Sequence, residues 1–184
     1  MPICSTDMSK RTPGHSRTHA ARTALRTRYP DLLLSLTAEA RRYQRGCEET
    51  QILFLRLFPR ALGSADPVSV LAPCAQECDS LIGLDARSAA LLMPATGWLS
   101  AQDLARELLQ AQEQKKLPAA VLICSLPDHA WEEMQPEELL ERLEPLLADL
   151  KPSSEPQDVS LPVTVREIED EARVSAEEKR FLFS

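Results

Sequence analysis

Hydrophobic residues follow helical spacing in three long stretches of this chain. In residues 31–45, 100–117 and 136–150 they recur every three or four positions, with charged residues between them. Ser100 precedes the second stretch, and Asp103 follows three positions later, which is typical of a capped helix start. The pattern therefore predicts three amphipathic helices.

Short and almost continuous apolar runs lie between these stretches, and each is bounded by proline or glycine. Runs of this length between chain breakers are typical of buried strands. The predicted strands are residues 51–58, 68–71, 88–93 and 119–125, with an alternating edge strand at residues 159–168. Residues 75–82 are predicted to form two helical turns that end at Gly83.

Predicted strands and helices alternate, which is typical of βαβ units. Strands that are apolar throughout also fit a sheet covered on both faces. We therefore predict an α/β fold with a mostly parallel sheet and helices on both faces, Rossmann-like and three-layered, without a phosphate-binding loop. Residues 29–184 are expected to form this single domain. Ser175 and Glu178 predict a new helix just before Ser184, so we expect the domain to be truncated at its C-terminus.

Charge is distributed unevenly along the chain. Residues 1–28 contain six basic residues against Asp7 alone, whereas the rest contains 15 basic and 27 acidic residues. The six are Lys10, Arg11, Arg17, Arg22, Arg26 and Arg28. We predict that residues 1–28 are a disordered basic head or linker, with a mitochondrial transit peptide or a mis-set gene start as alternatives. The acidic remainder argues against direct nucleic-acid binding, and no apolar run is long enough to cross a membrane.

Residues that bind cofactors or metals in characteristic patterns are missing. The five glycines, which a phosphate-binding or acetyl-CoA-binding turn would need close together, are scattered: Gly14, Gly46, Gly63, Gly83 and Gly97. The cysteines are odd in number and also scattered: Cys4, Cys47, Cys74, Cys78 and Cys124. They indicate free thiols in a reducing compartment. The sequence therefore predicts no cofactor and no catalytic or metal-binding residue.

Three groups of side chains have both a functional and a structural interpretation. His129 suits a base for Cys124 or a proton shuttle with Asp128, although a core thiol and a solvated loop explain the same residues. Trp98 and Trp131 suit partner anchors or lids over the sheet edge. An acidic cluster suits a cation site or the solvated face of a helix; it consists of Glu132, Glu133, Glu137, Glu138, Glu141 and Glu144. In each group we favour the structural interpretation.

One succession of short motifs is more specific than hydrophobic spacing. The sequence WLSA at residues 98–101 is followed by LLQA at 108–111, then by Leu-Pro at 117–118 and the apolar run AAVLICS at 119–125. This order and spacing resemble a segment in the C-terminal third of the germinal-centre-associated nuclear protein family. Upstream apolar runs that end in proline extend the resemblance over residues 29–168.

The resemblance implies a fragment of the region that associates with a minichromosome-maintenance subunit of the replicative helicase. It implies a protein-interaction domain of a nuclear scaffold, at the nuclear pore and in the nucleoplasm with possible shuttling to the cytoplasm, whose full-length form binds components of the mRNA-export complex. The family is also described as an acetyltransferase, for which acetyl-CoA would be the cofactor and the helicase subunit or histones the substrate. Since the glycine turn is missing here, no catalytic residue can be carried over. A degenerate GTPase-like module is a third hypothesis.

Overall fold

The computed structural model describes residues 23–43, 49–59, 65–126 and 134–160. Residues 23–28 are helical and precede the first complete element. In chain order the elements are α1 (Pro30–Tyr43), β1 (Thr50–Leu57), α2 (Pro67–Leu71), a 3₁₀ turn (Ala72–Cys74), β2 (Ser80–Asp85), β3 (Ser88–Pro94), α3 (Trp98–Gln114), β4 (Ala119–Leu126), α4 (Pro136–Asp149) and β5 (Gln157–Ser160). The helix predicted from Ser175 and most of the predicted edge strand lie outside the described residues.

The five strands form one mixed sheet in the order β2-β3-β1-β4-β5. The central strand β1 is antiparallel to both neighbours, β3 and β4, and β2 is antiparallel to β3. Only β4 and β5 are parallel. The predicted mostly parallel, Rossmann-like sheet is therefore wrong. The helix α3 does connect two strands of the same direction, β3 and β4, but β1 lies between them. Hydrophobic spacing records burial and not strand direction, so it could not detect this insertion.

Helices pack against both faces of the sheet, and β1 shows how one strand serves both. Ile52 and Phe54 belong to a core with residues of α1 and α4, whereas Leu53 and Leu55 belong to a core with residues of α2 and α3. Successive side chains of a strand point to opposite faces. A strand buried on both faces is therefore apolar at nearly every position, which explains the continuous runs in the sequence.

The two elements that were predicted wrongly lie between β1 and β3. Residues 68–71 were expected to form a strand, but they belong to α2. The Asp66 carboxylate accepts hydrogen bonds from the backbone N–H groups of Val68 at 3.2 Å and Ser69 at 3.1 Å, and Pro67 occupies the first turn. This capping outweighs the strand preference of the valines. Residues 75–82 were expected to be helical, but β2 begins at Ser80 and pairs with β3.

The helix α3 begins earlier than its predicted cap. Its N-cap is Gly97, which has no side chain to accept a backbone hydrogen bond, so the Ser100 cap was wrong. Asp103 instead accepts a hydrogen bond from Arg106 one turn further along, at 3.2 Å. The predicted start of α4 at Pro136 is confirmed, and Gln135 and Glu138 form a reciprocal capping box there.

The C-terminal end of α3 contains a residue in an unfavourable backbone conformation. Lys116 has φ 55, in the left-handed region. Its N–H donates to the carbonyl of Glu113 at 2.8 Å, and the N–H of Leu117 donates to the carbonyl of Gln112 at 3.0 Å. This pair of bonds is the Schellman arrangement, in which glycine is usually the left-handed residue.

Substituting Lys116→Gly is expected to raise the free energy of unfolding by about 0.5–1 kcal/mol, because removing Cβ relieves a strain that exceeds glycine's added flexibility in the unfolded chain. Urea unfolding monitored by circular dichroism measures the difference. Lys115→Gly is the matched control, because it removes the same charge at a residue with φ −81, and it should destabilise by up to about 1 kcal/mol. Equal effects of both variants would contradict the strain at Lys116.

Candidate functional site

One end of the sheet brings together several strand and helix termini, which commonly form ligand-binding sites. Because β3 and β4 are both antiparallel to β1, and β5 is parallel to β4, the carboxyl ends of these three strands lie together. The N-termini of α3 and α4 begin at the same end. In open sheets with crossover helices, ligands commonly bind at the carboxyl ends of the strands. A ligand site is therefore expected at this end of the sheet.

Trp98, the first residue of α3, connects this helix to the edge of the sheet. Its indole Nε1–H donates a hydrogen bond to Asp158 Oδ2 of β5 at 2.8 Å. Asp158 is paired in register with Ile123, which packs in the core beneath α3, so both side chains point to the same face. The hydrogen bond thus holds the indole over the β5 edge while 39% of the residue remains exposed.

Leu99, the next residue, is 71% exposed. Further along α3, Arg106 lies 3.2 Å from Asp103 and 3.9 Å from Glu155, the latter just before β5. These contacts define a surface between the helix and the sheet edge. We call it the α3–β5 surface, and it consists of Trp98, Leu99, Asp103, Arg106, Glu155 and Asp158. Both interpretations of Trp98, as a partner anchor and as a lid, fit this surface, because the ring covers the sheet edge and also remains accessible.

A line of polar groups runs across the same end of the sheet. Ser125 Oγ donates to Gln51 Oε1 at 2.7 Å, and Gln51 Nε2 donates to Glu49 Oε1 at 2.7 Å. Gln51 is fully buried, so these hydrogen bonds are needed to satisfy its amide. An amide oxygen is not a base, and Ser125 is therefore not activated as a nucleophile through Gln51. The line holds the strand ends together, and sequence analysis missed it because Gln51 opens an otherwise apolar run.

Cys124, a candidate nucleophile, is completely buried in β4. Burial, with a smaller contribution from the Asp158 carboxylate, raises the pKa of the Cys124 thiol to about 12. A nucleophilic cysteine must reach its thiolate form near neutral pH, and this thiol stays protonated there. The structural interpretation of Cys124 as a core thiol is confirmed. Its proposed partner His129, together with Asp128, lies outside the described residues.

Two members of the acidic cluster that lie on α4 pair with the end of the basic head, whereas Glu132 and Glu133 lie outside the described residues. Arg26 Nη2 lies 2.7 Å from Glu137 Oε1, and Arg28 Nη1 lies 2.5 Å from Glu144 Oε1. The side chain of Leu25, on the same helical segment, is buried in the core with α1 and α4. The ion pairs are solvent-exposed and contribute little by themselves. Within the described residues, no group of three or more His, Cys, Asp or Glu side chains is arranged to hold a metal ion.

Two of the five glycines, which were considered for a phosphate-binding loop, lie within the described residues. Gly97 caps α3 with open space around its Cα, whereas a Cβ at Gly83 would lie 3.3 Å from Val68 Cγ2. Gly83 therefore serves the packing of α2 on β2 and not the approach of a ligand. The other three glycines, and Trp131, lie outside the described residues.

No model of a known protein family matches the chain, and no curated protein sequence matches it significantly. In the part of the chain that the structure describes, no helix combines the length and apolar character needed to cross a membrane.

Proposed function

We propose that this chain is a protein-interaction domain and that the α3–β5 surface binds its partner. The observation that carries the proposal is the adjacent exposure of Trp98 and Leu99, with the indole held by Asp158. Tryptophan is enriched among the residues that contribute most binding energy at interfaces. A ring that is already held in place loses less conformational entropy on binding than a mobile one.

The resemblance to the germinal-centre-associated nuclear protein family supports a more specific form of this proposal. The WLSA sequence at residues 98–101, on which the resemblance depends, contributes both exposed apolar residues of the α3–β5 surface. The proposed partner is accordingly a minichromosome-maintenance subunit of the replicative helicase. The proposed setting is a nuclear scaffold that takes part in mRNA export through other regions of the full-length protein.

The two enzymatic alternatives have weaker support. The GTPase-like hypothesis depended on a parallel, doubly wound sheet, and the observed sheet is mostly antiparallel. For acetyl transfer through an acetylated side chain, Ser125 donates to a neutral amide and the Cys124 thiol is buried, so neither of these two residues supplies the nucleophile. No contact among the described residues favours this hypothesis over partner binding.

Replacing Leu99 with serine is expected to weaken binding of the purified helicase subunit at least about tenfold, since Leu99 is an exposed apolar contact beside a fixed tryptophan. Trp98→Ser should weaken it at least as much. Isothermal titration calorimetry with the wild-type chain and each variant measures both losses.

Leu34→Ser is the matched control. Leu34 is 70% exposed, like Leu99, but it lies on α1 and therefore on the opposite face of the sheet. Its substitution should leave the affinity unchanged. Wild-type chain that produces no heat with the helicase subunit would refute the proposed partner. Equal losses for Leu34→Ser and Leu99→Ser would refute the proposed surface.

A further inference from the structure

We infer that the segment docking on the α3–β5 surface is basic as well as apolar, which rests on the proposed function and specifies the partner's chemistry. The surface places two exposed apolar side chains among carboxylates that are only partly neutralised. A partner that presents an apolar side chain flanked by lysine or arginine complements both features.

The carboxylates of the surface outnumber its cations. The side chains of Asp103 and Glu155 are 74% and 76% exposed, and one guanidinium, that of Arg106, lies near both. Asp158 accepts its hydrogen bond from the neutral indole of Trp98, so its negative charge is not compensated by that contact. Three carboxylates against one guanidinium leave a local net charge of −2.

The exposed apolar side chains also lie between acidic ones. Leu99 and Asp103 are four residues apart on α3 and therefore neighbours on one helix face. Trp98 bridges from this helix to Asp158 at the sheet edge. An apolar side chain placed beside Trp98 and Leu99 would thus have a carboxylate within reach on the helix side and another on the sheet side. This arrangement selects a basic residue on either side of the apolar contact.

The basic residues that follow Arg106 in the chain do not offset this charge. Lys115 and Lys116 lie beyond the opposite end of the helix, where cations complement the negative end of its dipole. At about 1.5 Å per residue the 17-residue helix is about 25 Å long. This distance exceeds the Debye length of about 8 Å at physiological salt. The acidic end of α3 is therefore electrostatically separate from its basic end.

Neutralising two of the carboxylates tests the inference directly. The double variant Asp103→Asn with Asp158→Asn should weaken binding of the helicase subunit about tenfold at low salt. Asparagine at 158 can still accept the indole hydrogen bond. Raising sodium chloride from about 0.1 to 1 M shortens the Debye length from about 10 to 3 Å, so wild-type affinity should fall steeply and that of the double variant much less. The control Glu77→Gln with Glu113→Gln removes the same total charge from exposed residues elsewhere and should behave like the wild type.

A synthetic probe separates this inference from the identity of the partner. In a Trp131→Phe background Trp98 is the only tryptophan, and its fluorescence reports on the surface. A helical peptide of leucine and lysine should shift the emission, and the shift should weaken in the Asp103→Asn, Asp158→Asn variant. The same peptide with glutamate in place of lysine should have no effect.

The outcomes are distinguishable. Binding of the lysine peptide without binding of the helicase subunit supports the inferred chemistry and refutes the proposed partner. Binding of the helicase subunit that is insensitive to salt and to the double variant supports the partner and overturns the inference. Equal responses to the two peptides, or none to either, also overturn it.

Discussion

Replacing Phe54 with alanine is expected to lower the free energy of unfolding by about 3–5 kcal/mol, because the vacated volume cannot be refilled. Phe54 is buried at the middle of β1, the central strand, and its cross-strand neighbours are Ala90 and Leu122. Alanine at position 90 has no atoms that could move into the space. The helices α1 and α4 cover the face of the sheet to which the Phe54 side chain points. Total stabilities of domains are about 5–15 kcal/mol, so the variant should be close to unfolding.

Urea unfolding followed by circular dichroism measures this loss, and Leu34→Ala is the control. Leu34 is exposed on α1, and its substitution should change the free energy of unfolding by less than about 0.5 kcal/mol. Phe54→Leu should fall between the two because it retains most of the apolar contact. A loss below about 1 kcal/mol for Phe54→Ala would contradict the central position of β1 in the sheet.

The Cys124 thiol is expected to make the protein progressively less stable at alkaline pH. Its pKa is about 12 when folded, against an ordinary value of 9.0. Between these values the unfolded chain loses the proton and the folded chain keeps it, so the unfolded state is favoured as pH rises. Below about pH 9 the Cys124 thiol is protonated in both states and therefore does not make stability depend on pH. At 1.36 kcal/mol per pH unit, stability should fall by about 4 kcal/mol by pH 12.

Urea unfolding of the wild type and Cys124→Ala at several pH values, with reductant present, isolates this effect. Alanine removes the titrating group, so the wild type should lose stability relative to the variant as pH rises above about 9. Burial also raises the pKa of Tyr29, but this residue is present in both proteins and its effect cancels. Val121→Ala, a buried substitution on the same strand without a thiol, should follow the wild-type pH profile. Parallel profiles for the wild type and Cys124→Ala would contradict a protonated, buried thiol.

The α3–β5 surface could be predicted only in part from the sequence. Trp98 was identified as a partner anchor or a lid because it is a large apolar residue at a loop-to-helix boundary. Its hydrogen-bond partner Asp158 lies 60 residues away, just before the predicted edge strand at residues 159–168. No local pattern connects two such residues, because β5 reaches the sheet edge only after the chain passes through β4 and α4.

The local assignments show where sequence information was sufficient. The helices α1, α3 and α4 and the strands β1, β3 and β4 occur where hydrophobic spacing predicted them. In these segments burial on one helix face or on both strand faces leaves a direct imprint on residue type. The start of α2 is determined instead by the two capping residues Asp66 and Pro67, and the apolar residues that follow them wrongly predicted a strand.

The sequence by itself determined which segments are helical or extended in most of the described chain, and that both faces of the sheet are covered. Only the tertiary structure decided strand order and direction, because Leu53 or Ile123 is buried equally well by a parallel or an antiparallel neighbour. The same holds for the proposed site. The exposure of Leu99 and the fixed orientation of Trp98 depend on where α3 meets β5, and that position follows from the insertion of β1 between β3 and β4.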